Sequence, residues 1–347
     1  MASPFFIYMK YMSLCFTVTF SCAIIIIIVF IRILERSCVT MKYVLLIIAL
    51  ILVILPVILS AIIFHFFFHK PKRSTKIPAY YVGTPHYVVS RKGMELMKGI
   101  SYEDLYRNSY DGLKLHAYLF PAEEGVGKKF LLGVHGYRSY ARPEFGPYIE
   151  FYRSLGYSLL LPDDRAHAPS EGKYIGFGVL DRLDCVAWAQ YIVDNYGDDA
   201  EIIIHGVSMG AATVLAASGE NLPSQVKGIV SDCGYTSAED IIKYHFKNSM
   251  HLPIWPIYSL CEKICEMRAG FNFHTHTPLE QVQRAKVPIL FVHGVKDKMV
   301  PVEMVQRLYD ACRSKKEILV VDEAGHGESI AFAPDEYHRL IRELFEI

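Results

Sequence analysis

A single serine between two glycines, in the stretch EIIIHGVSMGAATVLAAS, is the feature that most constrains the fold. Three isoleucines predict a short buried strand before the serine, and AATVLAAS predicts a helix after it. A chain that passes so quickly from strand to helix must turn sharply, which is typical of a G-x-S-x-G nucleophile elbow. Side chains at Gly206 and Gly210 would collide with neighbouring backbone, so we expect Ser208 to project, strained, from the start of the helix.

Short apolar runs alternate with helical patterns through most of the chain after residue 100. This alternation predicts an α/β fold with a mostly parallel sheet covered by helices on both faces, preceded by a hairpin that turns at Asp111-Gly112. The predicted strands are KFLLGVHG, YSLLLPDD, EIIIHG, VKGIVSDC, PILFVHG and KEILVVDE, and the predicted helices are PYIEFYRSLG, VLDRLDCVAWAQYIVDNYG, AATVLAAS, VEMVQRLYDACRSK and PDEYHRLIRELFEI.

An insertion separates VKGIVSDC from PILFVHG, where the chain is longer than one crossover requires. Within it, IIKYHFKNSM and LPIWPIYSLCEKICEMRAGF have the pattern of helices with aromatic faces. Long insertions of this kind are usually functional, so residues 236–280 are predicted to form a small helical cap over the strand ends. The alternative is a surface helix pair with no role at the site. The aromatic residues of the cap are Phe246, Trp255, Tyr258, Phe271 and Phe273.

Two segments without a charged residue precede this domain, Tyr11 to Ile31 and Tyr43 to His69. Each exceeds the ~20 apolar residues that a helix needs to cross a hydrocarbon core. We expect residues 41–69 to be a transmembrane anchor, 70–98 a tether and 99–347 the α/β domain. Residues 1–40 are either a first transmembrane helix or an extension from a start assigned upstream of Met41. A cleaved signal peptide is disfavoured, because the apolar run is too long.

Charge and cysteine usage favour a cytoplasmic domain at the cell membrane. Lys70, Lys72, Arg73 and Lys76 follow the second apolar segment, and Lys/Arg-rich flanks favour the cytoplasm. The eight cysteines lack C-x-x-C spacing and are typical of free thiols in a reducing compartment.

Net charge is zero without a long basic run, which gives no indication of nucleic-acid binding. No metal-ligand spacing occurs, and we expect neither metal nor cofactor.

The serine requires a base and an acid, because a serine hydroxyl at neutral pH is a poor nucleophile. In the order Ser, acid, His, the stretch PILFVHGVKDKMVP places Asp297 beyond a strand and VVDEAGHGES places His326 after the last strand. We expect His326 to move the proton of Ser208 and Asp297 to orient the imidazole. Asp232, at the end of the strand after the serine, is the alternative acid. We favour Asp297 as the acid because it lies in a loop, just before Val-Pro, beyond the end of its strand.

Two backbone N–H groups are expected to bind the developing oxyanion. One belongs to Met209, the residue after the serine, and the other to Tyr137, in the loop after KFLLGVHG. An ordinary aromatic turn residue is the alternative reading of Tyr137. His135, His205 and His293 each precede a glycine at a strand end and are expected to shape those turns by local hydrogen bonds.

Five motifs carry a family resemblance from about residue 100 to 347. VHGY, DDRAHAPSEG, HGVSMGAA, HGVKDKMVP and AGHG occur in the order found in α/β-hydrolases. More narrowly, the chain resembles membrane-anchored bacterial hydrolases of the serine-aminopeptidase and lysophospholipase-like branch. The resemblance implies an eight-stranded sheet, a triad of Ser208, Asp297 and His326, and an acyl-enzyme mechanism. It implies no particular substrate.

The sequence therefore leads us to expect a membrane-anchored serine hydrolase, a serine esterase with a catalytic triad. The apolar, aromatic insertion favours a small-molecule or lipid-like acyl ester as substrate. A serine peptidase or thioesterase on the same fold remains open. A non-catalytic, membrane-tethered binding protein is the alternative from a different class, since a fold does not dictate function.

Overall fold

The computed structural model describes Ile28 and residues 41–71, 81–167 and 169–347. The expectations for residues 1–40 therefore fall almost entirely outside the described part. The described residues form two compact units. The first contains residues up to Phe67 together with Ile242–Asn272, and the second contains Phe68–Ile241 together with Phe273–Ile347.

The second unit is built on one eight-stranded sheet. Its strands are β1 Glu103–Asn108, β2 Lys114–Phe120, β3 Lys129–Val134, β4 Tyr157–Asp163, β5 Glu201–Val207, β6 Val226–Asp232, β7 Ile289–Gly294 and β8 Lys316–Val321. They lie in the order β1-β2-β4-β3-β5-β6-β7-β8. The pairs β1–β2 and β2–β4 are antiparallel and the others are parallel. The predicted mostly parallel α/β sheet is therefore confirmed.

The helices of the described residues follow the predicted order. They are α1 Met41–Phe68, α2 Pro85–Lys98, α3 Ala141–Ser154, α4 Asp181–Tyr196, α5 Met209–Ala217, α6 Ala238–Asn248, α7 Ser259–Ala269, α8 Pro278–Gln281, α9 Glu303–Ala311, α10 Ser329–Phe332 and α11 Pro334–Phe345. A π-helical turn at Ile254–Tyr258 precedes α7. Helix α3 begins before the predicted PYIEFYRSLG and carries Pro147 inside it. The added first turns are held against the core by the buried Phe145.

Helices cover both faces of the sheet, and this explains why the strands are continuously apolar. Alternate residues of a strand point to opposite faces. On one face Ile202 and Ile204 of β5 pack in a core with α4, α5 and α9, which includes Trp188. On the other face Ile203 packs in a core with α2, α3 and α11, which includes Phe145.

The predicted tether, residues 70–98, contains an ordered helix. Helix α2 begins after Thr84, whose side chain caps its N-terminus, with Pro85 in the first turn. It packs on α3 at a close backbone approach, since a Cβ on Gly93 would lie 1.8 Å from the carbonyl oxygen of Gly146. Residues 85–98 therefore belong to the second unit rather than to a flexible connection.

The first unit combines the apolar helix α1 with the insertion. Among the described residues, Tyr43–Phe68 is the one helix long and apolar enough to cross a membrane, and it is a candidate anchor. The insertion is helical as predicted, although its compact part is Ile242–Asn272 rather than 236–280. Ser60 Oγ of α1 donates to the carbonyl oxygen of Ile257 at 3.0 Å. The expected place of the insertion over the strand ends stays a prediction.

Candidate active site

Ser208 occupies a strained turn between β5 and α5. Its φ and ψ are 58° and −116°, in a region that non-glycine residues rarely adopt. A Cβ on Gly206 would lie 2.2 Å from the carbonyl oxygen of Gly210, and a Cβ on Gly210 would lie 2.0 Å from that of Val134. Only glycines fit at these two positions, so the G-x-S-x-G pattern is a steric requirement of the turn.

The structure brings Ser208, His326 and Asp297 together in one chain of hydrogen bonds. His326 Nε2 lies 2.9 Å from Ser208 Oγ, and His326 Nδ1 lies 2.7 Å from Asp297 Oδ2. The carboxylate can only accept, so Nδ1 carries the hydrogen and Nε2 is left to accept from the serine hydroxyl. Ser208 is half-buried, whereas His326 and Asp297 are buried.

The Asp297 carboxylate is held by its own loop. Its Oδ1 accepts from the N–H groups of Met299 and Val300, at 2.7 and 2.9 Å. His293 Nε2 lies 3.0 Å from the carbonyl oxygen of Val300 and 3.4 Å from Asp297 Oδ2. Both neighbours are acceptors, so Nε2 carries a hydrogen directed at them. His293 thus shapes this turn, as its position before a glycine predicts, and also contacts the acid.

The charges of the site are poised for proton transfer. Burial disfavours the carboxylate of Asp297, but the neighbouring His326 and His293 outweigh it and hold its pKa below the usual range. Burial also disfavours protonated His326, but the charge and hydrogen bond of Asp297 outweigh it and raise its pKa above 6.5. The acid therefore stays ionised while the imidazole becomes a stronger base.

Asp232, the alternative acid, lies in a separate buried network. Its Oδ2 accepts from the hydroxyls of Tyr148 and Tyr337, at 3.2 and 3.0 Å. Burial raises the pKa of Asp232 to about 6. Its backbone carbonyl accepts from the N–H of Ser208 at 2.8 Å, so Asp232 supports the serine through the main chain.

The loop after β3, which carries Tyr137, lies directly beside the serine. A Cβ on Gly136 would lie 3.2 Å from Ser208 Cβ. Arg138, which follows Tyr137 in this loop, is held in place too, because its N–H donates to His167 Nε2 at 3.2 Å. Burial lowers the pKa of His167 well below its usual range, which keeps the ring neutral and able to accept. Met209 opens α5, and its N–H is one of the four that no helical carbonyl can satisfy.

One group among the described residues has the donor atoms of a metal site. Cys233, Asp297 and His326 present ligand-type atoms within 4.8 Å of one another. Burial raises the pKa of the Cys233 thiol well above its usual range, whereas a metal binds the thiolate. His326 already contacts both Asp297 and Ser208, so this donor set fits the hydrogen-bonded site better than a metal.

Sequence reasoning missed two residues beside His326, because they lie in the predicted tether. The rings of Tyr81 and His86 pack together with centroids 4.0 Å apart, and both side chains are buried. A Cβ on Gly327 would lie 2.6 Å from Tyr81 Oη, so Tyr81 packs on the loop that carries His326. The helix start at Thr84-Pro85 was a signal of order here, although it does not indicate what the helix contacts.

The chain is similar to known proteins both in sequence and in fold. A model of the prolyl oligopeptidase family (Peptidase_S9) matches residues 178–343, which include all three residues of the hydrogen-bonded chain. In the C222₁ crystal form, the structure of the Pyrococcus furiosus esterase Pf2001 is similar to this chain, with a TM-score of 0.57 and 28% sequence identity. The similarity covers 72% of this chain and 90% of that one.

Two curated relatives carry no assigned activity in their names. The uncharacterized protein YqkD of Bacillus subtilis (strain 168) is 25% identical over 199 residues, which are 57% of this chain and 65% of YqkD. The uncharacterized membrane protein YNL320W of Saccharomyces cerevisiae is 25% identical over 253 residues, 71% of this chain and 80% of that protein. The match therefore spans just under two thirds of YqkD.

The contact of Tyr81 with the His326 loop predicts coupled substitutions. Gly327→Ala should destabilise the protein by about 1–3 kcal/mol, because the new methyl group meets Tyr81 Oη and the φ of +65° disfavours any side chain. Adding Tyr81→Phe should recover part of the loss, because it removes the oxygen that clashes. Urea unfolding of the full chain in detergent, with Tyr81→Phe alone as the control, measures the coupling. Strictly additive effects would contradict the contact.

Proposed function

We propose that this chain, a member of the α/β-hydrolase superfamily, is a serine hydrolase. It cleaves a carboxylic ester through an acyl-enzyme intermediate. The observation that carries the proposal is the continuous hydrogen-bonded chain from Ser208 through His326 to Asp297. We assign Ser208 as nucleophile, His326 as general base and acid, and Asp297 as the group that orients the imidazole.

In the acylation step, His326 Nε2 takes the proton from Ser208 Oγ as this oxygen bonds to the ester carbonyl carbon. The electron pair of the C=O bond moves to the carbonyl oxygen, and we assign the N–H groups of Met209 and Tyr137 as its donors. The position of Met209 at the start of α5 and that of Gly136 against Ser208 support this assignment. The intermediate then expels the alcohol, which takes the proton from His326.

The second step restores the enzyme. Water gives a proton to His326 Nε2 and attacks the acyl carbon, and the second tetrahedral intermediate expels Ser208 Oγ. The serine recovers its proton from His326, and the carboxylic acid leaves. Throughout, Asp297 stays ionised and stabilises the imidazolium, in keeping with the opposite pKa shifts of these two residues.

The similarity to the structure of the Pyrococcus furiosus esterase favours an ester substrate. We propose a small-molecule or lipid-like acyl ester, because the insertion that accompanies the site is rich in apolar and aromatic residues. A serine peptidase is the second candidate, and the match to the prolyl oligopeptidase family is the observation that favours it. Turnover of aminoacyl amides without turnover of esters would select the peptidase.

We further propose that α1 anchors the enzyme in the cell membrane with its catalytic domain in the cytoplasm. The uncharged helix Tyr43–Phe68 and the similarity to a yeast protein named as a membrane protein support the anchor. The basic residues that follow α1 support the orientation. The five cysteines of the described residues are all unpaired and buried, which suits a reducing compartment.

Ser208→Ala tests the proposed chemistry. The full chain in detergent should lose fluorophosphonate labelling and should lose turnover of p-nitrophenyl esters by about 10⁴–10⁶-fold, because the substitution removes the proposed nucleophile. Ser224→Ala, at an exposed serine outside the site, is the matched control and should keep both. Labelling that persists without Ser208, or a folded parent chain that is not labelled, would refute the assignment.

The pKa shifts also predict the pH profile. His326 acts as base only when neutral, so kcat/KM should fall as the pH drops through its pKa, with a midpoint above 6.5. Asp297→Asn should move this midpoint down as well as slow turnover, because it removes the charge that raises the pKa of His326. The readout is kcat/KM for one ester across the pH range. A midpoint at or below 6.5 in the parent enzyme would contradict the pairing.

An added surface cysteine tests the orientation. Val126 is 46% exposed in the loop between β2 and β3, so Val126→Cys presents a thiol on the catalytic domain. A membrane-impermeant maleimide should label it only after the cells are permeabilised. The parent protein, treated in the same way, gives the background from its native cysteines. Labelling of intact cells above that background would place the domain outside the cytoplasm.

A further inference from the structure

Residues 252–260 of the insertion, LPIWPIYSL, present an uncharged and partly exposed surface, and we refer to them as the Trp255 segment. Trp255 is 79% exposed, although a tryptophan normally buries most of its large apolar surface. A single exposed apolar side chain needs no explanation. Here Trp255 lies in a stretch of nine residues without a charge. Such a composition is unusual for a surface that faces water and is typical of one that contacts an apolar partner.

The backbone of the Trp255 segment is bonded to helix α1. Ser60 Oγ lies 3.0 Å from the carbonyl oxygen of Ile257, two residues after Trp255, and Ser60 is fully buried. The same hydroxyl lies 2.7 Å from the carbonyl oxygen of Pro56 within α1. The segment and the candidate membrane helix therefore belong to the same compact unit and are joined by this buried contact.

The position of Ser60 along α1 sets the depth of this contact. The span Tyr43–Phe68 has 26 residues. At 1.5 Å per residue such a helix is about 39 Å long, against a hydrocarbon core of about 30 Å. If α1 is centred on the core, about three residues lie outside at each end, which puts Ser60 about 7 Å inside the hydrocarbon boundary on the side of Phe68. In this arrangement the carbonyl group of Ile257, which contacts Ser60, lies at a similar depth.

From these observations we infer that the Trp255 segment inserts into the lipid bilayer beside α1. Hydrocarbon tolerates backbone polar groups only when the protein satisfies them, and the hydroxyl of Ser60, which Pro56 and Ile257 share, lies within hydrogen-bond distance of the Ile257 carbonyl. It also excludes charged side chains, which the segment lacks, whereas tryptophan is favoured near the membrane interface. The partner of this surface is thus the acyl-chain and headgroup region of a bilayer. The inference rests on the proposed anchoring of α1 and is independent of the hydrolytic chemistry.

Tryptophan fluorescence tests the insertion directly, because the chain has two tryptophans. Trp188 is buried in the core of the second unit, so Trp188→Phe leaves Trp255 as the reporter. The full chain is reconstituted into phosphatidylcholine–phosphatidylglycerol vesicles, with or without lipids brominated in the acyl chain. Bromine in the acyl chains should remove most of the Trp255 emission, and aqueous iodide should remove little.

Trp255→Phe is the matched control, and its remaining buried tryptophan should respond to neither quencher. If Trp188→Phe does not fold, the difference between the parent chain and Trp255→Phe gives the same signal.

Quenching by iodide would overturn the inference. Protection from both quenchers would overturn it too, because it would mean that protein, such as a second copy, covers the segment. A chain that fails to float with vesicles would overturn both the anchor and the inference. Lost fluorophosphonate labelling with intact lipid quenching would refute only the proposed chemistry.

Discussion

The close backbone approach of Gly206, Gly210 and Val134 is the constraint on which the candidate site depends. It leaves no space for a Cβ on either glycine, and it forces the chain to leave β5 and enter α5 through one residue. Ser208 therefore takes a positive φ and projects from the turn instead of packing in the core. The strained backbone of Ser208 is tolerated because the packed cores on the two faces of the sheet hold β5 and α5 in place.

The parallel sheet supplies the other members of the site. Ser208, Asp297 and His326 each follow the carboxyl end of a strand, namely β5, β7 and β8, and parallel strands bring these ends to one edge. This is why so much could be predicted from sequence. Buried strands are continuous apolar runs, and a polar residue just beyond such a run must lie at that edge.

The sequence could not reveal features that depend on contacts between distant residues. The order of α2 depends on the approach of Gly93 to Gly146, and neither glycine is informative alone. The same holds for Tyr81, whose contact with Gly327 places it beside the loop that carries His326. The sequence offered a local argument for Asp297 over Asp232 as the acid. Only the fold shows that the Asp232 carboxylate is hydrogen-bonded by tyrosine hydroxyls, whereas that of Asp297 is hydrogen-bonded by His326.

The union of α1 with Ile242–Asn272 in one compact unit has a consequence for fragment biochemistry. A chain shortened by removing residues 1–67 would keep the second unit but would lack the helix of the first. The carbonyl group of Ile257 would lose its contact with the hydroxyl of Ser60, and the insertion would lose the helix with which it forms the first unit. Measurements on such a fragment would describe an insertion without its helical partner, so the first unit has to be studied with its apolar helix attached.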